Sequence, residues 1–336
     1  MLRFLSRRSL TSIVTLVLVV FASFFLSHVV PSNPAIIYVG PQARPDEVAR
    51  VVQRLGLDRS LPEQFWRYIT ALLRGDWGTS IATKQPVLHE LANRLPATLE
   101  LLAVAIIAAA IVGTTLGVVA ARRQGRPIDA AVRLLSIGGV SMPTFWLGLL
   151  LQILASHGSL PVTGRNDVNL QFVDPISRIT GSNLVDSLLT GNWSGLHDTA
   201  VHLILPAVTL AAYPAGLVAR MTRAAMIETL AQDHSEYARI QGLSERVIVW
   251  RLALRNAMPT TVTVLGLSLA FLLTGTFFVE VIFSWPGVGQ FATDSLLNSD
   301  YPAIQGITLL GAIGYLLINL AVDIVNARLD PRVRIT

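Results

Sequence analysis

The amino-acid sequence predicts an all-α polytopic membrane protein with six transmembrane helices and both termini on the cytoplasmic side. Three observations carry this reading. Hydrophobic residues make up 52% of the 336 and charged residues only 14%, so a soluble domain of this composition would expose large apolar patches. Six apolar runs approach or exceed the roughly 20 residues that cross a hydrocarbon core about 30 Å thick as helix. Arginines gather at the ends of those runs rather than along one face, which is where basic residues set orientation.

The first run, residues 9–30, follows Arg3, Arg7 and Arg8 and resembles a signal peptide at first sight. It is too long for the apolar part of one and is followed by PSNPA rather than a small-residue cleavage site, so a retained helix is expected. Residues 31–96 then form a long extracytoplasmic loop with its own helices. DEVARVVQRL (46–55) has helical spacing, and Ser60-x-x-Glu63 is a capping-box pattern opening PEQFWRYITALL. Phe65, Trp66, Ile69, Leu72 and Leu73 share one face of that second helix, and Trp66 and Tyr68 suit a lipid–water boundary. A helix lying on the outer membrane surface and one packed on protein fit this pattern equally well. The remaining runs, 97–121, 130–155, 201–218, 260–279 and 304–325, complete a five-helix core over residues 97–336.

Charge fixes the topology. Arg122, Arg123 and Arg126 lie between runs two and three, six arginines between four and five, and Arg328, Arg332 and Arg334 after run six, whereas residues 280–302 carry none. The loop at 31–96 has eight basic residues, but loops that long translocate largely regardless of charge. Glu100 and Asp323 lie about a turn from a span end, where a carboxylate costs less than at mid-bilayer. Pro143, Pro206 and Pro214 interrupt spans three and four, which fits a pathway or hinge as well as ordinary kinks in packed helices. Gly113-x-x-x-Gly117 reads as routine close helix packing.

Several functions are excluded. The chain has no cysteine, which rules out disulfides, thiol catalysis and thiolate metal sites within it. Its one lysine, Lys84, follows Ser80-Ile81-Ala82-Thr83 rather than a glycine-rich phosphate loop, so no ATP site is expected. His89-Glu90 does not continue into a zinc-binding H-E-x-x-H, and no G-x-S-x-G elbow is present. No catalytic, cofactor or metal site is therefore predicted. The net charge of +5 belongs to arginines at span ends, so nucleic acid is not expected as a partner.

The polar segment 220–258, between spans four and five, carries Arg220, Arg223, Arg239, Arg246, Arg251 and Arg255. Short helical pieces are interrupted at Gly242 and resume over 244–254. Within it, Glu236, Tyr237, Ala238, Arg239, Gly242 and Leu243 resemble the E-A-A-x-x-x-G signature of bacterial ABC-importer permeases, with Tyr237 in place of a small residue. LGLDRSLPEQFWRYITALLRGDWGTSI, RLPATLELLA, SMPTFWLGLLL, LPVTG, LILPAVTLA, FVEVIFSWPGVGQ and the closing INLAVDIVNARLDPRVR follow in order. Together they resemble the dipeptide/oligopeptide/nickel permease family, and within it the first permease subunit.

That resemblance implies a type I ABC-importer permease fold in the bacterial cytoplasmic membrane. It implies a second homologous permease subunit, two ATPase subunits that hold ATP and magnesium and grip the 220–258 loop, and an extracytoplasmic binding protein that delivers substrate. Short peptides are the expected substrate, with nickel, heme and glutathione importers sharing the scaffold. A basic amphipathic helix bound to anionic lipid is the competing reading of the loop. For the whole chain the competitor is an ion- or proton-coupled carrier, which calls for inverted repeats and mid-span charges that the sequence lacks. Met142, Pro143, Phe145 and Trp146 are expected on the substrate path. Glu280, Ser284 and Trp285 are expected at its outer mouth, where the Glu280 acid would meet a peptide amino terminus or an arginine of the binding protein, or the turn would simply fold the loop onto the spans.

Overall fold

A computed structural model describes residues 2–29, 44–56 and 58–329; apart from one isolated bridge between Thr79 and Pro86, all their regular structure is helical. PSNPA and the residues after Leu329, including Arg332 and Arg334, lie outside the described residues. The chain divides into two compact units, residues 1–95 with 287–316 and residues 96–286 with 317–336.

The first unit holds α1 (Leu2–Val29), α2 (Pro45–Leu55), α3 (Leu61–Leu73), the beginning of α4 (Val87–Arg122), α13 (Val288–Leu297) and the beginning of α14 (Tyr301–Leu329). The helix expected at 46–55 is present as α2, with Gly56 left-handed at its end. The α3 start falls where Ser60 predicts it, but the capping box does not form. The Ser60 hydroxyl makes no cap bond, and Glu63 turns instead to an ion pair with Arg59. One face of α3 packs on protein, where Phe65 meets Phe21 and Phe24 of α1 at centroid distances of 5.6 and 5.2 Å, while Trp66 and Leu73 stay exposed. Beyond it, the Asp300 carboxylate accepts the Ser80 hydroxyl at 2.5 Å and the Ala82 amide at 3.1 Å. Val87, Leu91, Phe291 and Ala303 close a small core beside this turn.

The second unit is a bundle around α9 (Trp193–Leu230), built with α5 (Pro127–Ser141), α6 (Thr144–Ala155), the short α7 (Val168–Val173) and α8 (Asn183–Thr190), α10 (Asp233–Ile240), α11 (Glu245–Val247), a π-helical turn (Ile248–Ala253) and α12 (Leu254–Ile282). Its core gathers Leu101, Ala105 and Ala109 of α4, Leu203, Ala207 and Leu210 of α9, and Leu272, Val279 and Phe283 of α12 and its end. Small residues set the helix spacing. A Cβ on Gly113 or Gly117 would fall 2.8 or 2.7 Å from the Ala215 or Ala219 carbonyl, so α4 touches the α9 backbone directly, as the G-x-x-x-G pattern predicts.

Among the described residues, four helices, Val87–Arg122, Trp193–Leu230, Glu245–Leu273 and Tyr301–Val325, are long and apolar enough to cross a membrane. One expectation is met and one needs correction. The run at 130–155 breaks at Pro143, as the sequence predicts: α5 and α6 meet at 108°. Pro143 offers no amide hydrogen and drives the preceding Met142 into an extended conformation (φ −77°, ψ 126°), which ends the helix. Pro206 and Pro214, in contrast, do not interrupt α9, which runs unbroken for 38 residues. Enclosure by neighbouring helices lets a spanning helix tolerate the lost bonds, and more of α9 is buried than of any other long helix described.

Candidate functional site

The 220–258 segment is far more ordered than a loop. Residues 220–230 are the last turns of α9, residues 233–240 form α10, and helix resumes at Glu245. Only residues 231–232 and 241–244 are non-helical. Gly242 makes the reversal after α10 with φ at +78°, a left-handed conformation that costs residues with a Cβ about 1 to 2 kcal/mol. The Gly242 and Leu243 amides donate to the Arg239 and Ala238 carbonyls at 2.9 and 3.1 Å, closing the end of α10.

The faces of α10 differ. Ser235 and Ala238 are buried, and the Ser235 hydroxyl donates to the Thr229 carbonyl at 2.9 Å, fastening α10 to the end of α9. His234 meets Asn256 of α12 at 3.2 Å. Tyr237 is 63% exposed, Ile240 78% and Leu243 43%, an apolar patch flanked by Glu236 and by the Arg239–Glu245 ion pair at 2.9 Å. Exposed apolar side chains inside a polar rim mark a protein or membrane contact. Val118 and Ala121 of α4, Met226 of α9, Val249 and Ala253 of the π turn and Ala257 of α12 form a buried cluster. Among the described residues, no group of histidines, aspartates and glutamates is placed to hold a metal ion.

The two sets expected on the path separate by exposure. Met142, Phe145 and Trp146 are exposed at the α5–α6 corner beside Pro143, and Phe145 approaches Phe278 of α12 at 6.3 Å between centroids. Glu280 and Trp285 are fully buried, and only Ser284 of that group is exposed. The Glu280 carboxylate accepts the Thr98 hydroxyl at 2.6 Å, and the Trp285 indole donates to the Ala97 carbonyl at 2.9 Å. The turn at Ser284, with φ at +50°, thus folds the segment onto α4, and in this structure the Glu280 acid faces helix rather than solvent.

Two carboxylate clusters in the second unit were not legible as sites. Glu100 accepts two bonds from Arg165 at 2.9 and 2.6 Å, the Ser182 hydroxyl at 2.8 Å and the Leu184 amide at 2.7 Å. Asp129 accepts Arg223 Nε at 2.6 Å and Nη2 at 2.9 Å, and the Gly125 amide at 3.0 Å. The only signals for the second in sequence are an acid two residues after Pro127 and an arginine that reads as one of many orientation charges.

Residues 113–335 match the family model described as binding-protein-dependent transport system inner membrane component, and residues 1–102 match that of the membrane component's N-terminal part. The chain belongs to this family of transport permeases. It is 42% identical to the probable D,D-dipeptide transport system permease protein DdpB of Escherichia coli K12, over 93% of this chain and 91% of that protein. It is 39% identical to the dipeptide transport system permease protein DppB of the same organism, over 99% of both. The glutathione transport system permease protein GsiC of Salmonella paratyphi A is 38% identical, again over 99% of both. The chain is thus a multi-pass membrane protein and a transport subunit, as the sequence motifs predict.

Proposed function

We propose that this chain is one of two permease subunits of an ATP-driven importer for short peptides in the bacterial cytoplasmic membrane. It crosses that membrane six times, through α1, α4, the bent α5–α6 pair, α9, α12 and α14, with both termini inside. The observation that carries the reading is the exposure of Tyr237 and Ile240 on a short helix, and of Leu243 just after it, with that helix tied directly to α9 and α12, in a chain related over its length to peptide permeases. Two ATPase subunits hold ATP and magnesium and receive α10, with Glu236, Arg239 and Gly242 shaping the contact. Their closure on ATP moves α10, and α9 and α12 with it, opening the path outward to substrate delivered by a binding protein; hydrolysis resets it. Met142, Pro143, Phe145 and Trp146 line the path, while Glu280, Ser284 and Trp285 hold the turn at its mouth.

Co-expression with the companion permease and ATPases tests this. The native chain should retain both ATPase copies through purification and import a dipeptide panel only with ATP. Ile240→Glu should reduce ATPase retention tenfold or more. Dipeptide transport by the purified chain alone in vesicles would overturn the proposal.

A further inference from the structure

The α5–α9 contact has two parts of different character. Midway, it is backbone against backbone: a Cβ on Gly139 would fall 2.7 Å from the Ala212 carbonyl, and one on Gly216 2.6 Å from that of Ser136. Such a surface packs closely, with the Val140 side chain 3.2 Å from a Cβ on Gly216, and holds by van der Waals contact without a directional bond at either glycine. At the α5 start the contact is a clasp. Asp129 is 1% exposed and occupies the third helical position, where a carboxylate is favoured by the helix dipole. It takes both Arg223 nitrogens in a fork at 2.6 and 2.9 Å, a geometry with directional as well as electrostatic hold. The neighbouring Thr222 hydroxyl meets Thr261 of α12 at 2.9 Å, and Gly117 of α4 abuts residues 219–223. Four helices therefore meet at one level of α9, seven residues or about 10 Å of continuous helix from its end at Leu230, where α10 is fastened.

We infer that the Asp129–Arg223 pair is the positioning link by which movement of α10 and α9 is passed to α5, and so to the Met142–Pro143 corner that α5 carries. Without it, α9 slips along the glycine contact and α5 stays behind. The inference rests on the coupling role proposed for α10. Asp129 and Arg223 act through the helices they join and touch neither substrate nor nucleotide.

The test uses the complete importer in lipid nanodiscs and proteoliposomes, with a casein-hydrolysate dipeptide mixture as probe. Asp129→Asn and Arg223→Gln should keep the ATPase subunits bound and unstimulated hydrolysis within twofold, while binding-protein-stimulated hydrolysis and uptake fall at least tenfold. The exchange Asp129→Arg with Arg223→Asp should recover at least a third of uptake. The native chain has no cysteine, so Asp129→Cys with Arg223→Cys gives this chain a single thiol pair that a short cross-linker can bridge, and the bridged importer should keep working.

Uptake within twofold of native in both single variants overturns the inference, as does a bridge that stops uptake, because linked helices that must part cannot move together. Should the single variants fail to assemble, the bridged form decides by the same criterion. If α10 is not the coupling element, Ile240→Glu leaves ATPase retention intact; if only the clasp is misassigned, Ile240→Glu still releases the ATPases while the clasp variants transport normally.

Discussion

The Glu100 and Asp129 clusters each hold a buried carboxylate on an arginine, through one oxygen at Glu100 and through both at Asp129, and they join different kinds of structure. Glu100 on α4 binds Arg165, Ser182 and Leu184, all from the connection between α6 and α9 or the start of α8 within it. Arg165 also donates to the Gly181 carbonyl at 2.8 Å and lies 5.7 Å from the Trp285 ring. Asp129 instead joins the first turn of one long helix to the last third of another. The first cluster pins a long connection to a helix, so its loss should be felt as disorder. The second joins two rods, so its loss should be felt as lost transmission.

The largest effect should come from Glu100→Gln. Breaking a buried pair and leaving the arginine enclosed costs about 3 to 5 kcal/mol, and Arg165 is largely buried beside an almost fully buried Glu100. Expected results are a clear loss of thermal stability in detergent and rapid protease cleavage within residues 158–183. Asp129→Asn should leave that connection protected. If both variants expose the connection equally, the contrast between the two clusters fails.

A smaller effect is expected at Asp186, in the same connection. Its carboxylate accepts the Thr180 amide and hydroxyl, each at 2.7 Å, and the Gly181 and Ile179 amides at 2.9 and 3.2 Å. Burial alone pushes this carboxyl up; the bonds from Thr180, Gly181 and Ile179 outweigh burial and hold it below the usual aspartate range. With the folded value below the unfolded one, the stabilisation is complete above about pH 4 and is lost as pH falls through the folded value. Asp186→Asn, which puts an amide against four donors, should lower stability by about 1 to 3 kcal/mol at neutral pH. The difference in melting temperature between native and variant should narrow on acidification. A difference that widens in acid would show that the carboxylate is not what organises the turn.

Much of the helical layout was legible because it follows from short-range rules. Apolar length marked the long helices, and Gly242 marked the reversal. Pro143 and Pro214 show where those rules stop: one ends a helix and the other lies inside one. The difference lies in enclosure by neighbours, which is a property of the fold and not of the local string. The same reason hid Arg165 and Arg223, whose partners stand 65 and 94 residues away. Glu280 was read at a mouth because it follows a span; its burial depends on a turn that presses it against Thr98.

The smallest expected effect on stability belongs to Gly242, and it sharpens the contrast from the α10 side. The added methyl of Gly242→Ala would meet nothing within 4 Å, so the cost is backbone conformation alone, about 1 to 2 kcal/mol. Gly242→Asn should cost less, since asparagine enters the left-handed region more readily. Paid locally, this strain should loosen the α10 end without disturbing the Asp129 clasp, because residues 223–230 are continuous helix. Hydrogen exchange should therefore quicken in residues 233–244 and stay unchanged in 125–133, and ATPase retention should fall further for alanine than for asparagine. Equal retention for the two would mean that the turn's conformation is not what presents α10, and would shift the weight of docking onto the Tyr237–Ile240–Leu243 side chains.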